Sequence, residues 1–153
     1  MAYAETTTVS VEKSRAEIEQ LLRKHGASAF AMSWNEDRAV IQCGIRERVV
    51  RFGIAMPLRA DHKYDRRRQA RSQDQISAAV AQTERARWRA MLLVIKAKLE
   101  AVDLGIETFE EAFLANTVLP SGETMGQWSH RELGRIYESG GELPSVLALP
   151  VGR

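Results

Sequence analysis

Cysteine is nearly absent from this sequence, because Cys43 is the single cysteine among 153 residues. A lone cysteine excludes a disulfide within the chain and a zinc site built from several cysteines, and it favours a reducing compartment. Long apolar runs are also missing: the longest, residues 90–95, is far shorter than the ~20 residues that cross a bilayer. The first residues, MAYAETTTVSVEK, contain neither the basic nor the apolar region of a secretory signal. We therefore expect a cytoplasmic protein without a membrane partner.

An excess of charge of one sign is absent too, since 22 basic and 20 acidic residues give a formal net charge of +2. Proline is scarce, with 4 residues, whereas hydrophobic residues make up 44% and charged residues 27% of the chain. These proportions are those of an ordinary globular protein, so they exclude a collagen-like or wholly disordered chain. A chain of this length can bury a sufficient core as one domain, and we expect a single domain over residues 1–153.

The first third of the chain has a helical pattern followed by strand patterns. Residues 1–13 are predicted to form an extended arm, and Ser14-Arg15-Ala16-Glu17 matches a capping box that starts a helix ending at Gly26. From residue 28 the apolar period changes to two, which predicts strands. Their expected ranges are 28–34, 38–44 and 49–56. Phe30, Met32 and Trp34 are expected to face inward. The short turns between these strands predict a three-stranded antiparallel meander.

The middle of the chain combines a basic segment with a long helical pattern. Residues 59–74 contain almost no large apolar side chain, so they are predicted to form an exposed basic loop. A helix is predicted over residues 75–104, ending at Gly105. Its segment 90–95 is apolar on nearly every side, which indicates a buried helix.

The last part of the chain is predicted to contain two shorter helices and an apolar tail. Capping patterns at Thr108 and Thr124 start these helices, and the tail covers residues 141–153. The inward side of the last helix is expected to carry Leu133, Ile136 and Tyr137. The predicted fold class is therefore α+β: a small three-stranded antiparallel meander packed under a long central helix, with shorter helices towards the N- and C-termini.

The most distinctive stretch of the sequence is QTERARWRAMLLVIKAKLE at residues 82–100. With it, the chain resembles a family of proteins of tailed bacteriophages and prophages that has no established activity. The other matching segments are residues 10–14, Gly26-Ala27 with Phe30 and Trp34, residues 48–52, Gly105-Ile106, residues 108–110, residues 113–115 and Leu119-Pro120. The resemblance implies a phage accessory protein in an infected or lysogenic bacterium, and it implies no cofactor or catalytic residue. The chain departs from the family pattern in its more arginine-rich loop after Pro57 and in its C-terminal helix.

Catalytic signatures are missing from the sequence. His25, His62 and His130 are too far apart along the chain to form a closely spaced metal pair. Cys43 lies in the middle of a predicted strand, where a small buried hydrophobic residue is expected rather than a nucleophile. We therefore predict no enzyme, no metal and no cofactor.

Basic residues are concentrated in the 59–74 loop and on the long helix. Arg85, Arg89 and Lys96 share one helical stripe, and Arg87 and Lys98 lie on a neighbouring one. Such a surface would neutralise phosphates, and Trp88 or Tyr64 could stack on an unpaired base. The predicted nucleic-acid-binding residues are Arg59, Lys63, Arg66, Arg67, Arg68, Arg71, Arg85, Arg89 and Lys96. Arg38, Gln42, Arg46, Arg48 and Arg51 are expected near the exposed side or the ends of the sheet. The alternative is a solvated helix face whose cations pair with nearby glutamates, with Trp88 in the core.

The leading hypothesis is a non-enzymatic phage accessory protein that binds single- or double-stranded nucleic acid in replication, recombination or DNA protection. The alternative is a protein-binding inhibitor or modulator of a host complex such as a defence system. Trp128, Tyr137 and Leu147 are the predicted anchors for such a protein partner. Self-association is also expected, because a small sheet and an apolar tail leave surface to be covered.

Overall fold

The first helix, α1, spans Val11–Lys24 in the computed structural model, which describes residues 4–140. Ser10 caps it, because the Ser10 hydroxyl accepts a hydrogen bond from the Lys13 amide at 3.2 Å. The predicted start at Ser14 is therefore wrong, and residues 11–13 belong to the helix rather than to the predicted arm, 1–13. Ser14 is instead buried on the same helix face as Ile18. Starting the helix at Ser10 adds one turn to this buried face, which a start at Ser14 would lose.

The three strands form an antiparallel sheet in the order β1-β2-β3, which confirms the predicted meander. Strand β1 is Ala29–Trp34, β2 is Arg38–Ile45 and β3 is Arg48–Ala55. The turn between β2 and β3 is tight, since Arg46 and Glu47 both have positive φ angles, 48° and 61°. Alternate residues of β2 and β3 are buried, so one sheet face belongs to the core and the other faces outward.

The long helix α2, Gln73–Asp103, begins two residues before its predicted start and ends one residue before its predicted end. Its core stripe is Trp88, Leu92, Ile95 and Leu99, which joins one hydrophobic cluster with α1 and the inner sheet face. The α+β fold with a long central helix is confirmed. The expected burial on every side is wrong, however, because Val94 is 46% exposed. Within the segment 90–95, Leu92 and Ile95 are buried, whereas Met91 and Leu93 are half-buried.

Two short elements follow α2 and lead to the last helix. Helix α3, Phe109–Phe113, has the predicted capping box at Thr108, and a 3₁₀ turn, Leu114–Asn116, follows directly. Thr117 then forms a single bridge with Val50 of β3. This bridge fixes the start of the C-terminal region against one edge of the sheet.

The last helix, α4, spans Met125–Glu138 and has the predicted cap at Thr124. Its expected inward residues are wrong, because Leu133, Ile136 and Tyr137 are all exposed, Ile136 by 57%. The helix is held at its first turn, where Gly126 approaches the backbone of Ala115. Beyond that turn, the described residues offer it no apolar surface to pack against. The predicted tail, residues 141–153, lies outside the described residues.

Candidate nucleic-acid interface

Residues 63–71 form a tight hairpin-like turn rather than an irregular loop. Tyr64 and Ala70 form a β-bridge, and the Arg71 amide donates to the Lys63 carbonyl at 2.9 Å. Inside the turn, the Asp65 carboxylate accepts hydrogen bonds from the amides of Arg67 and Gln69, both at 2.8 Å. This turn, called the arginine turn below, is therefore ordered by its own backbone and by one aspartate.

The tip of the arginine turn carries three exposed guanidinium groups, those of Arg66, Arg67 and Arg68. Arg66 is ion-paired with Glu5 at 2.7 Å. Neither Arg67 nor Arg68 has an acidic partner within residues 4–140, and both side chains lie in solvent. The tip thus presents two uncompensated positive charges next to each other.

The base of the arginine turn is held by hydrogen bonds to neutral groups. Arg59 donates to the Ser77 hydroxyl and the Gln73 side-chain carbonyl, both at 3.1 Å, and Arg71 donates to the His62 carbonyl at 3.3 Å. Neutral acceptors orient a guanidinium but leave its charge in place. Residues 59–74 contain six basic residues against three acidic ones, so the region stays positive. Tyr64, 61% exposed, adds an accessible aromatic ring.

The structure does not join the α2 cations to the arginine turn. Lys96 lies 23 residues after Gln73, about 35 Å further along the helix axis at 1.5 Å per residue. Arg89 is ion-paired with Glu17 of α1 at 2.7 Å, and both side chains are partly buried. Arg85 bonds Gln82 on its own helix. Lys96 is exposed with no acidic partner among the described residues. The predicted residues of the turn form one cluster, whereas those of α2 are dispersed.

Other cations of α2 support the fold. Arg87 donates to the Ala55 carbonyl of β3, and Lys98 donates to the Ala112 carbonyl of α3. Each therefore links α2 to a neighbouring element.

The expected role of Trp88 as a stacking plane is wrong, because Trp88 is fully buried. Arg15 lies between two indole rings, 3.9 Å from the centre of Trp34 and 4.7 Å from the centre of Trp88. Trp34, expected to face inward, is 56% exposed at the end of β1. Its position beside the β1–β2 turn is the sequence signal that could have shown this exposure.

The outward sheet face carries fewer free cations than expected. Arg51 bonds Gln42 at 2.8 Å and the Gly122 carbonyl at 2.8 Å, so its guanidinium spans the face. Arg46 lies over the ring of Phe109, at 5.4 Å. Arg38 extends across Gly53, and Arg48 lies in register with Ile45 at the end of the sheet. These arginines do not form a row along one face.

The predicted partner-binding residues have different outcomes. Trp128 and Tyr137 are exposed on α4, and Leu147 lies outside the described residues. Leu133 and Ile136 are exposed on the same side of the helix as Tyr137, whereas Trp128 lies on the opposite side from Tyr137. We call the surface formed by Leu133, Ile136 and Tyr137 the α4 apolar face.

Cys43 is buried on the inner face of β2, as predicted from its place in the strand. Burial raises the pKa of its thiol from 9.0 to about 11.

Among residues 4–140, no three His, Cys, Asp or Glu side chains converge as metal ligands. His25 is occupied by hydrogen bonds to Asp103 and to the Leu21 carbonyl, both at 2.9 Å.

We expect the Cys43 thiol to be inert in the folded protein. At pH 8 an aromatic disulfide reagent should label the chain only after unfolding in urea, because the reactive thiolate is suppressed and inaccessible. Burial favours the neutral thiol, so the free energy of unfolding should fall as pH rises above about 9, where the unfolded thiol ionises. The variant Cys43→Ala should lack this component of the alkaline loss. Rapid labelling of the native protein would contradict the assignment.

No helix within residues 4–140 has both the length and the hydropathy to span a bilayer. No protein-family model, curated protein or solved structure matches the chain. The arguments about function therefore rest on the residues and contacts described above.

Proposed function

We propose that this protein binds nucleic acid without catalysing a reaction, as a phage accessory protein in the cytoplasm of a bacterial host. The observation that carries the proposal is the arginine turn, an ordered projection with Arg67 and Arg68 unpaired at its tip. A rigid turn loses little conformational entropy on binding, whereas a flexible basic loop must first be ordered. A helper role in replication, recombination or DNA protection is consistent with such a surface.

The chemistry of the turn suits phosphates. Guanidinium groups form paired hydrogen bonds with phosphate oxygens, and each contact with duplex DNA releases condensed counterions. Tyr64 lies in the same turn and offers its ring to an unstacked base, which would favour a single strand. Arg59, Lys63 and Arg71 extend the positive surface behind the tip.

Removing the two unpaired tip charges should weaken binding measurably. In Arg67→Ala/Arg68→Ala, we expect lower affinity for labelled DNA and a smaller slope of log K against log salt. The slope should shrink by about 0.9 per lost phosphate contact on duplex DNA and about 0.7 on a single strand. Folding should change by no more than about 0.5 kcal/mol, because both side chains are exposed. Arg66→Ala should matter less, since its charge is already paired with Glu5.

A matched control separates this site from general charge. The variant Lys13→Ala/Lys24→Ala removes two exposed cations of α1, which are not part of the arginine turn, and should leave the salt slope unchanged. Equal losses in the two variants would mean that only net charge matters. Absence of binding by the natural sequence at low salt would refute the proposed function.

The α4 apolar face supports a second candidate, a module that binds and modulates a host protein complex such as a defence system. Its exposed side chains, Leu133, Ile136 and Tyr137, lie on a helix with no buried residue. Amphipathic helices of this kind bind apolar grooves of partner proteins. A stoichiometric host protein that survives nuclease treatment and is lost in Ile136→Ser/Tyr137→Ser would favour this function over DNA binding.

A further inference from the structure

Strand β1 is an open edge of the sheet. In the order β1-β2-β3 it pairs only with β2, and no other strand within residues 4–140 lies beside it. The opposite edge, β3, is partly covered, because Val50 bridges Thr117 and the Val118 amide donates to the Val49 carbonyl at 2.8 Å. The β1 edge is therefore unpaired among the described residues, whereas part of the β3 edge is paired.

The hydrogen-bond pattern shows which groups of β1 point away from the sheet. The Asn35 amide donates to the Arg38 carbonyl at 2.9 Å, and residues of the β1–β2 ladder alternate between bonded and non-bonded pairs. Ala31 and Ser33 thus bond β2. The backbone N–H and C=O groups of Phe30, Met32 and Trp34 point outward, and no residue between 4 and 140 bonds them.

Strand β1 also lacks the usual protection of an edge. Natural edge strands carry charges, prolines or bulges that prevent pairing with another chain. The sequence of β1, AFAMSW, contains none of these residues, whereas β3 carries Arg48 and Arg51. An uncharged, regular six-residue edge is suited to the addition of another strand.

We propose that β1 pairs antiparallel with β1 of a second copy, around a two-fold axis at Met32. In this register Met32 faces Met32, and Phe30 faces Trp34 of the second copy. It is the register in which the backbone groups of all three outward-pointing residues find hydrogen-bond partners in β1 of the other copy. Identical strands related by a two-fold axis form such a self-complementary contact. The result is one continuous six-stranded sheet.

The side chains favour the same register. Phe30, Met32 and Trp34 lie on one face of β1, because they are alternate residues. The exposed indole of Trp34 would contact the half-buried ring of Phe30 across the axis, twice per dimer. Aromatic pairs directly opposite each other stabilise neighbouring strands. On the other face Ala31 would lie opposite Ser33, and neither is large enough to prevent the approach.

Light scattering after size exclusion tests the contact. The full chain should have twice its mass of 17.2 kDa at micromolar concentration. Ala31→Lys/Ser33→Lys places like charges opposite each other across the axis and should give a monomer with an unchanged circular dichroism spectrum. Val49→Lys/Ala55→Lys adds the same charge to the outward face of β3 and should remain dimeric. A monomeric natural chain, or dissociation in the β3 variant alone, would overturn the proposal.

Disulfide trapping tests the register. In a Cys43→Ser background, Met32→Cys should cross-link under mild oxidation, because residues in a bonded antiparallel pair have Cα atoms about 5.5 Å apart. Trp34→Cys should not cross-link, since its counterpart would lie four residues away along the strand, about 13 Å. Cross-linking of Trp34→Cys but not Met32→Cys would refute the two-fold axis at Met32.

Discussion

Replacing Trp88 by alanine should lower the free energy of unfolding by about 3–5 kcal/mol, the cost of a large aromatic truncation in a core. Trp88 is fully buried, and it belongs to the cluster that joins α2 to α1 and the inner sheet face. Its ring also packs against the guanidinium of Arg15, which would be left beside a cavity. Urea denaturation followed by circular dichroism measures the change, and Trp34 and Trp128 provide an independent fluorescence signal.

Trp88→Phe is the matched control for this prediction. The indole Nε1 of Trp88 has no hydrogen-bond partner among the described residues, so phenylalanine removes no hydrogen bond. We expect a loss of roughly 1–2 kcal/mol, from reduced packing alone. If Trp88→Phe were as destabilising as Trp88→Ala, the indole N–H rather than the ring would be the stabilising group.

The fold was predictable from the sequence where the local pattern of residues and the pairing of distant segments favour the same structure. The change from helical to alternating periodicity at residue 28 and the turn at Arg46-Glu47 both indicate strands, and the meander satisfies both. The start of α1 was mistaken because two serines compete. The local pattern at Ser14 satisfies the capping rule, but burial of Ser14 beside Ile18 depends on tertiary packing.

The inward face predicted for α4 failed for a related reason. Its apolar spacing is genuine, but amphipathicity shows that a helix has a face to cover and not which surface covers it. Similarly, the apolar segment at residues 90–95 could not reveal that Val94 is exposed while Leu92 and Ile95 are buried. Both errors concern partners in space, which a helical pattern does not encode.

The candidate site was predictable in composition but not in geometry. A segment without large apolar side chains cannot be buried, so the exposure of Arg66, Arg67 and Arg68 followed from the sequence. The role of Asp65 as an internal cap of the turn could not be distinguished from that of a neutralising charge. The pairing of Arg89 with Glu17 spans 72 residues, and only the packing of α1 on α2 reveals it.

Gly126→Ala should destabilise the protein by about 1–3 kcal/mol, because the new methyl group meets a fixed obstacle. A Cβ at Gly126 would lie 2.8 Å from the Ala115 carbonyl oxygen and 3.3 Å from its Cβ. The oxygen belongs to the backbone of the 3₁₀ turn Leu114–Asn116, so it cannot move aside as a flexible side chain would. Since this contact holds the first turn of α4, we expect the helix to shift away from the 3₁₀ turn.

Gly134→Ala on the same helix should have the opposite effect. A Cβ there meets nothing within 4 Å, and alanine favours a helix interior over glycine by about 0.5–1 kcal/mol. In this size range each kcal/mol corresponds to about 2–4 °C in Tm, so thermal melts should separate the two variants clearly. Both substitutions add the same methyl group to the same helix, and only the methyl group at residue 126 meets Ala115. If both variants gained stability, α4 would not be held by the close approach of Gly126 to Ala115.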